Sequence, residues 1–176
     1  MDHRAIGVFD SGVGGLTVLR ALRDAMPGES FVYLGDTARL PYGTKSPQTV
    51  RRYAEQAAAH LVARDVKMIV IACNTASAVA VEHLRARLTP VPVLGVIVPG
   101  ARALCAATTT KKVAVLATPG TVSGGAYEAA IAKIEPSATV TSLACALFVS
   151  LAEEGWANGP VAAAAVQAYL QPLISP

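Results

Sequence analysis

Cys73-Asn74-Thr75 sets a thiol, an amide and a hydroxyl side by side, directly behind the apolar run from Met68 to Ala72. Residues of these types can move a proton or attack a carbonyl, because a thiolate is a base and a nucleophile and neighbouring donors can hold a ligand against it. Three other apolar runs end in the same way. Asp10-Ser11 follows residues 5–9, Asp36-Thr37 follows 31–34, and Thr118 with Thr121 follows 113–116. If these runs are strands of open parallel sheets, ligands bind just beyond their carboxyl ends. One pocket could then collect a carboxylate, several hydroxyls, an amide and a thiol.

Each group also has a plainer reading. A cysteine closing an apolar strand is often a small, inert core residue. Against that, a helix is expected to begin about four residues after Cys73, and a helix N-terminus lowers a thiol's pKa. Spacing alone leaves both readings open. Asp10-Ser11-Gly12-Val13-Gly14-Gly15 follows a strand and opens a helix, as a dinucleotide-binding loop would, but Thr17 stands where the third glycine belongs. Asp10 would also oppose a pyrophosphate. A tight turn explains the glycines with any ligand, and its backbone amides could hold a carboxylate. Cys105 and Cys145 read as core residues, and His3, His60 and His83 lack ligand spacing. Three cysteines, odd in number and widely spaced, argue against a disulfide framework or a zinc site.

The elements that must position these groups alternate. Strands are expected over 5–9, 31–34, 68–72, 91–97, 113–116 and 139–143. Helices are expected over 16–26, about 46–63, about 77–88, 99–107, 121–133 and 161–170, with 41–43 a loop and 172–176 a tail. In the second helix Val50, Tyr53, Ala54, Ala57, Ala58 and Leu61 recur at spacings of three and four, and Ser46-Pro47 is a start signal. Strands alternating with helices make an α/β fold of parallel βαβ units. Pro90, Pro92 and Pro99 suggest a junction, giving a first domain over 1–95 and a partial second one over 96–176.

Composition removes several function classes. Of 176 residues, 53% are hydrophobic and 15% charged, which excludes a disordered chain. Aromatics at 5% are too few for a base-stacking platform, and the net charge of +3 is scattered, so direct nucleic-acid binding is not expected. No apolar run reaches membrane-spanning length and no signal-peptide pattern precedes the first strand, which makes a cytoplasmic location the expectation.

Three segments together carry a resemblance: residues 9–18 (Phe-Asp-Ser-Gly-Val-Gly-Gly-Leu-Thr-Val), 35–43 (Gly-Asp-Thr-Ala-Arg-Leu-Pro-Tyr-Gly) and 72–76 (Ala-Cys-Asn-Thr-Ala). In this order the sequence resembles the glutamate racemases of the aspartate/glutamate racemase superfamily, and 118–127 and 145–155 follow the same pattern. The resemblance implies two similar α/β domains with the active site between them. It implies interconversion of L- and D-glutamate by cysteine-based two-base proton transfer, without pyridoxal phosphate or metal, in a bacterial cytoplasm where D-glutamate supplies peptidoglycan. It assigns Cys73 as one base, assisted by Asp10. Ser11 and Asn74 would hold the substrate; Thr75, Thr118 and Thr121 would bind its amino and carboxylate ends. The Pro41-Tyr42-Gly43 loop would receive the side-chain carboxylate on the amides near Tyr42 and Gly43. Glu153 aligns with an acidic residue of the relatives' second domain. A homodimer and a contact with DNA gyrase are the partners the family suggests besides glutamate.

The sequence also departs from the pattern. The family's second cysteine lies in a Gly-Cys-Thr-His segment that this sequence does not contain, and Ala146 and Ser150 replace common prolines. The resemblance therefore implies a C-terminally truncated racemase, with its second domain and closing segment incomplete and with little or no activity alone. An aspartate-type racemase and a non-catalytic homologue that binds an amino acid or a partner are the rival readings.

Overall fold

The computed structural model describes residues 2–174. The first half contains β1 (Ile6–Asp10), α1 (Leu16–Ala25), β2 (Phe31–Gly35), a single 3-10 turn (Tyr42–Thr44), α2 (Pro47–Val62), β3 (Met68–Ile71), α3 (Asn74–Leu88) and β4 (Val93–Gly95). The second contains α4 (Ile97–Ala107), β5 (Lys112–Ala117), α5 (Pro119–Ser123), α6 (Ala126–Ile134), β6 (Thr139–Ala144), α7 (Ala146–Glu153) and α8 (Pro160–Ile174).

The first four strands pair in parallel in the order β2-β1-β3-β4, with Ile6 beside both Phe31 and Met68 and Ile69 beside Val93. β5 and β6 form a separate parallel pair running from Lys112 beside Thr139 to Ala117 beside Ala144. This is the α/β architecture of parallel sheets that the alternation requires. Every residue of β1 is buried, as a strand covered on both faces must be. Successive side chains alternate between faces. Phe9 joins Val50, Ala54, Leu61 and Ile69 in the cluster under α2 and α3. Ile6 and Val8 meet Leu19 and Leu22 of α1 on the other side. Around β5 and β6, Val115 packs with Ile97, Ala101, Ala130 and Ile131 of α4 and α6.

Several local signals act as read from the sequence. Ser46 caps α2 by accepting from the Thr49 amide at 3.2 Å, with Pro47 in the first turn; such a cap contributes about 1 kcal/mol. Other elements differ from expectation. The strand expected over 91–97 is only β4, because α4 begins at Ile97 and takes Pro99 into its first turn. The helix expected over 121–133 is two, α5 and α6, broken at Gly124-Gly125, where Gly125 has φ +60. α7 was not expected at all. The helix expected over 161–170 runs from Pro160 to Ile174, absorbing the first part of the expected tail. Ser175 and Pro176 lie outside the described residues.

One residue, Val96, separates β4 from α4. Its amide donates to Ser77 Oγ at 3.2 Å, and that hydroxyl donates to the Ile71 carbonyl at 2.9 Å. A buried hydroxyl thus pins the crossover to the end of β3. Among the described residues no helix is long and apolar enough to cross a membrane. None of their His, Cys, Asp and Glu side chains gather in threes where a metal ion could be held.

Candidate active site

The loop after β1 closes on its own carboxylate. Asp10 is 7% exposed, and its Oδ2 accepts from the Gly12 amide at 2.9 Å and the Gly15 amide at 3.1 Å. The amides that could have cradled a phosphate or an external carboxylate are therefore engaged by Asp10, and the dinucleotide reading fails for that reason. The Tyr33 hydroxyl braces the same loop, donating to the Gly12 carbonyl at 3.0 Å. Burial pushes the Tyr33 pKa up to about 12, helped by the negative charges of Asp10, Cys73 and Glu153. All three acidic groups thus face one region.

Cys73 ends β3 and serves as the N-cap of α3, which starts at Asn74 and not near 77 as expected. Its sulfur accepts from the Ala76 amide at 3.4 Å and its S–H reaches Ser11 Oγ at 3.5 Å. Of the two influences that the sequence left open, burial prevails over the helix N-terminus. Burial pushes the thiol up, the bonds to Ser11 and Ala76 pull the other way, and the charge of Asp10 adds to the rise. Desolvation outweighs a helix N-terminus that offers the sulfur one long hydrogen bond. The raised value means that the folded chain holds this proton more tightly than the unfolded one. The stabilisation it brings is complete below the ordinary thiol value of 9.0 and is lost as pH rises through the folded value. Iodoacetamide should accordingly label Cys73 slowly at pH 7.5, the rate climbing only above about pH 9; labelling at pH 7.5 as fast as that of an unperturbed thiol would refute the dominance of burial.

Across from the thiol, three hydroxyls close a triangle. Thr75 Oγ1 lies 2.9 Å from Thr118 Oγ1 and 3.2 Å from Thr121 Oγ1, and the last two are 3.0 Å apart. Thr75 comes from α3, whereas Thr118 caps α5 and Thr121 sits within it. The triangle therefore ties the two halves together. Gly43 packs so closely that a Cβ there would collide with Thr118. The turn carrying Gly43 is held from behind. Tyr42 is 1% exposed and its hydroxyl donates to Asp36, which is also paired with Arg39 at 2.7 Å. Burial first, then Asp36, pushes the Tyr42 pKa up. Arg39 lies over the Tyr53 ring, 4.3 Å from its centroid.

These elements surround a cavity of about 660 Å³. Asp10, Ser11, Pro41, Tyr42, Gly43, Cys73, Asn74, Thr75, Thr118, Thr121 and Glu153 all line it, so the fold brings together the residues that the resemblance assigns to the site, whereas Asp36 and Thr37, the polar pair behind the second strand, are not in its lining and Asp36 instead bonds Tyr42. Glu153 closes one side: its Oε1 would stand 3.3 Å from a Cβ placed on Gly12. Two wall residues escaped sequence reasoning. Cys145 is 1% exposed, as a core residue would be, yet it borders the cavity, its thiol pushed up by burial. Tyr127 of α6 donates to Asn74 Oδ1 at 2.7 Å across the cleft. Nothing local in the helix marks it, although it falls inside the segment 118–127 that carries the resemblance.

Comparison with known proteins agrees with this geometry. The family model for Asp/Glu/hydantoin racemases matches residues 14–173. The glutamate racemase of Geobacter metallireducens is 53% identical over 98% of this chain, and that of Syntrophus aciditrophicus 50% over 97%. The chain spans 64% and 63% of their respective lengths. Among solved structures, the Francisella tularensis glutamate racemase in complex with D-glutamate superposes with a TM-score of 0.92 at 41% identity, covering 99% of this chain and 65% of that one. The Bacillus anthracis isoform RacE1 gives 0.94 at 36% identity, covering 100% and 66%. Motifs, parallel sheets and cavity thus lead to one conclusion: the chain belongs to the Asp/Glu/hydantoin racemase family.

Proposed function

We propose that the protein interconverts L- and D-glutamate by two-base proton transfer, without pyridoxal phosphate or metal, in a cleft between domains 1–95 and 96–176. The observation that carries this reading is a buried thiol, Cys73, opening on a cavity that also holds a fixed carboxylate, Asp10, and a set of neutral donors. Cys73, as the thiolate, takes the α-proton from one face. The electron pair left on Cα spreads into the α-carboxylate, and a proton delivered to the opposite face completes inversion. A base for a weakly acidic C–H benefits from a raised pKa, and a dry pocket keeps the thiolate strong. Asp10 assists Cys73; Ser11 and Asn74 hold the substrate beside it. Thr75, Thr118 and Thr121 bind the amino and carboxylate ends, and the Tyr42 and Gly43 amides receive the side-chain carboxylate. Glu153 faces the cavity from the far wall. D-Glutamate made in this way would serve peptidoglycan synthesis in a bacterial cytoplasm.

The proton donor for the opposite face is not supplied by residues 1–176, which lack the Gly-Cys-Thr-His segment. The chain alone should therefore bind D-glutamate yet convert L- to D-glutamate at or near background. Polarimetry or a coupled assay, run beside Cys73→Ala and with aspartate as a second substrate, tests this. Robust turnover abolished by Cys73→Ala would overturn the need for an outside donor, faster turnover of aspartate would change the substrate, and failure to bind glutamate at all would remove the reading.

A further inference from the structure

We propose that Ser77 is a positioning residue: its hydroxyl stands in for the last rung between β3 and β4 and thereby sets how the α4 wall of the cavity lies relative to Cys73. The inference rests on the glutamate reading of that cavity and deepens it. Parallel strands bond through evenly spaced rungs. Here the Ile69 amide donates to the Pro92 carbonyl at 2.9 Å, with Ile69 beside Val93 and Ile71 beside Gly95. Carried on to the end of the pair, the same pattern has the Val96 amide donate to the Ile71 carbonyl. A side chain enters that last rung. The Val96 amide donates to Ser77 Oγ at 3.2 Å, and the hydroxyl donates in turn to the Ile71 carbonyl at 2.9 Å. Both backbone groups keep a partner, as buried ones must, yet the strand ends are spread by one oxygen atom.

A second observation shows that room for this hydroxyl is built in. A Cβ on Gly95 would stand 2.8 Å from Ser77 Oγ and 2.6 Å from Val81 Cγ2, so only a glycine lets the buried Ser77 reach across. The consequence falls on the site from two sides. Ile71 lies two residues before Cys73, and the Ser77 amide donates to the Cys73 carbonyl at 2.8 Å. Ser77 is thus bound to the corner that delivers the thiol. Val96 immediately precedes α4, whose Gly100 and Leu104 line the cavity. α4 is also tightly packed further along: a Cβ on Gly100 would stand 2.9 Å from the Tyr127 hydroxyl, which is bonded to Asn74. Close packing transmits a shift instead of absorbing it. Without the oxygen the Val96 amide closes directly on Ile71, α4 follows it, and its wall moves relative to Cys73.

NMR and calorimetry on the chain test the inference. The scalar coupling across a hydrogen bond between the Val96 nitrogen and the Ile71 carbonyl carbon should be absent in the unsubstituted chain and present in Ser77→Ala. Ser77→Thr, which keeps the hydroxyl, should match the unsubstituted chain. Ser77→Ala should bind D-glutamate about 3- to 10-fold more weakly, the scale of one lost hydrogen bond, and Ser77→Thr should retain most of the affinity. A coupling already present in the unsubstituted chain, or none in Ser77→Ala, overturns the bridged rung; the first of these can be read even if Ser77→Ala does not fold. Unchanged affinity in Ser77→Ala, or Ser77→Thr weakened as much as Ser77→Ala, overturns the positioning role and leaves the glutamate reading standing. An unsubstituted chain that binds no D-glutamate removes that reading and, with it, the part of the rung in the site.

Discussion

In D2O, replacing Cys73 by alanine is expected to slow exchange of the glutamate α-proton by about 10²- to 10⁴-fold, the range a positioned acid–base group contributes. Exchange needs only one base. A thiolate removes the proton, the thiol trades it with solvent, and deuterium returns to the same face. With Cys73 alone in place, one enantiomer should therefore acquire deuterium without inversion, and the other should not. NMR integration of the α-proton against a non-exchanging β-proton reads both outcomes. The pH profile should rise through the neutral range and beyond, because the buried thiol titrates above its ordinary value and the thiolate fraction grows with pH. Cys73→Ala at unchanged exchange, or exchange of both enantiomers at equal rates, would show that another group removes the proton.

Gly43→Ala should weaken D-glutamate binding by about 5- to 150-fold. Overpacking a tight contact costs about 1–3 kcal/mol, and that cost falls on the site itself. A Cβ at residue 43 collides with three side-chain atoms of Thr118, and Thr118 is a corner of the hydroxyl triangle. Either the turn from Tyr42 to Thr44 withdraws its amides from the cavity or Thr118 leaves Thr75. The Thr118→Ser variant loses Cγ2, one of the atoms in the way, and in the double variant should restore part of the affinity. Titration calorimetry on the two single variants and the pair decides. Gly43→Ala binding with unchanged affinity would show that the turn is not part of the ligand site.

Much of the fold could be read because strands buried on both faces leave a plain trace. β1 and β3 lie within a residue of their expected bounds, since short apolar runs ending in polar groups have few other solutions. The readings failed where apolarity was continuous. Val93 to Val98 carries no period, so the point at which β4 gives way to α4 depends on the Val96–Ser77 hydrogen bond, a contact between residues 19 apart. α7 escaped for a related reason. Ala146-Leu147-Phe148-Val149 has no polar face, its start at Cys145 has no side-chain cap, and its packing comes from Tyr169 against Phe148. At the site, residue types and strand ends identified the lining. The charge state of Cys73 stayed open in the sequence, because desolvation depends on how closely neighbours enclose the sulfur, and that is a property of the assembled core. Tyr127 was out of reach because its partner, Asn74, is 53 positions away.

The threonine triangle has one more consequence. Three hydroxyls that share three contacts can pass their protons around clockwise or anticlockwise, with the oxygens fixed in either case. The two circulations place the free lone pairs and the donated hydrogens differently while costing no rearrangement of the scaffold. In either sense all three hydrogens are used within the triangle, so toward a ligand the rim offers lone pairs and would accept from an ammonium group.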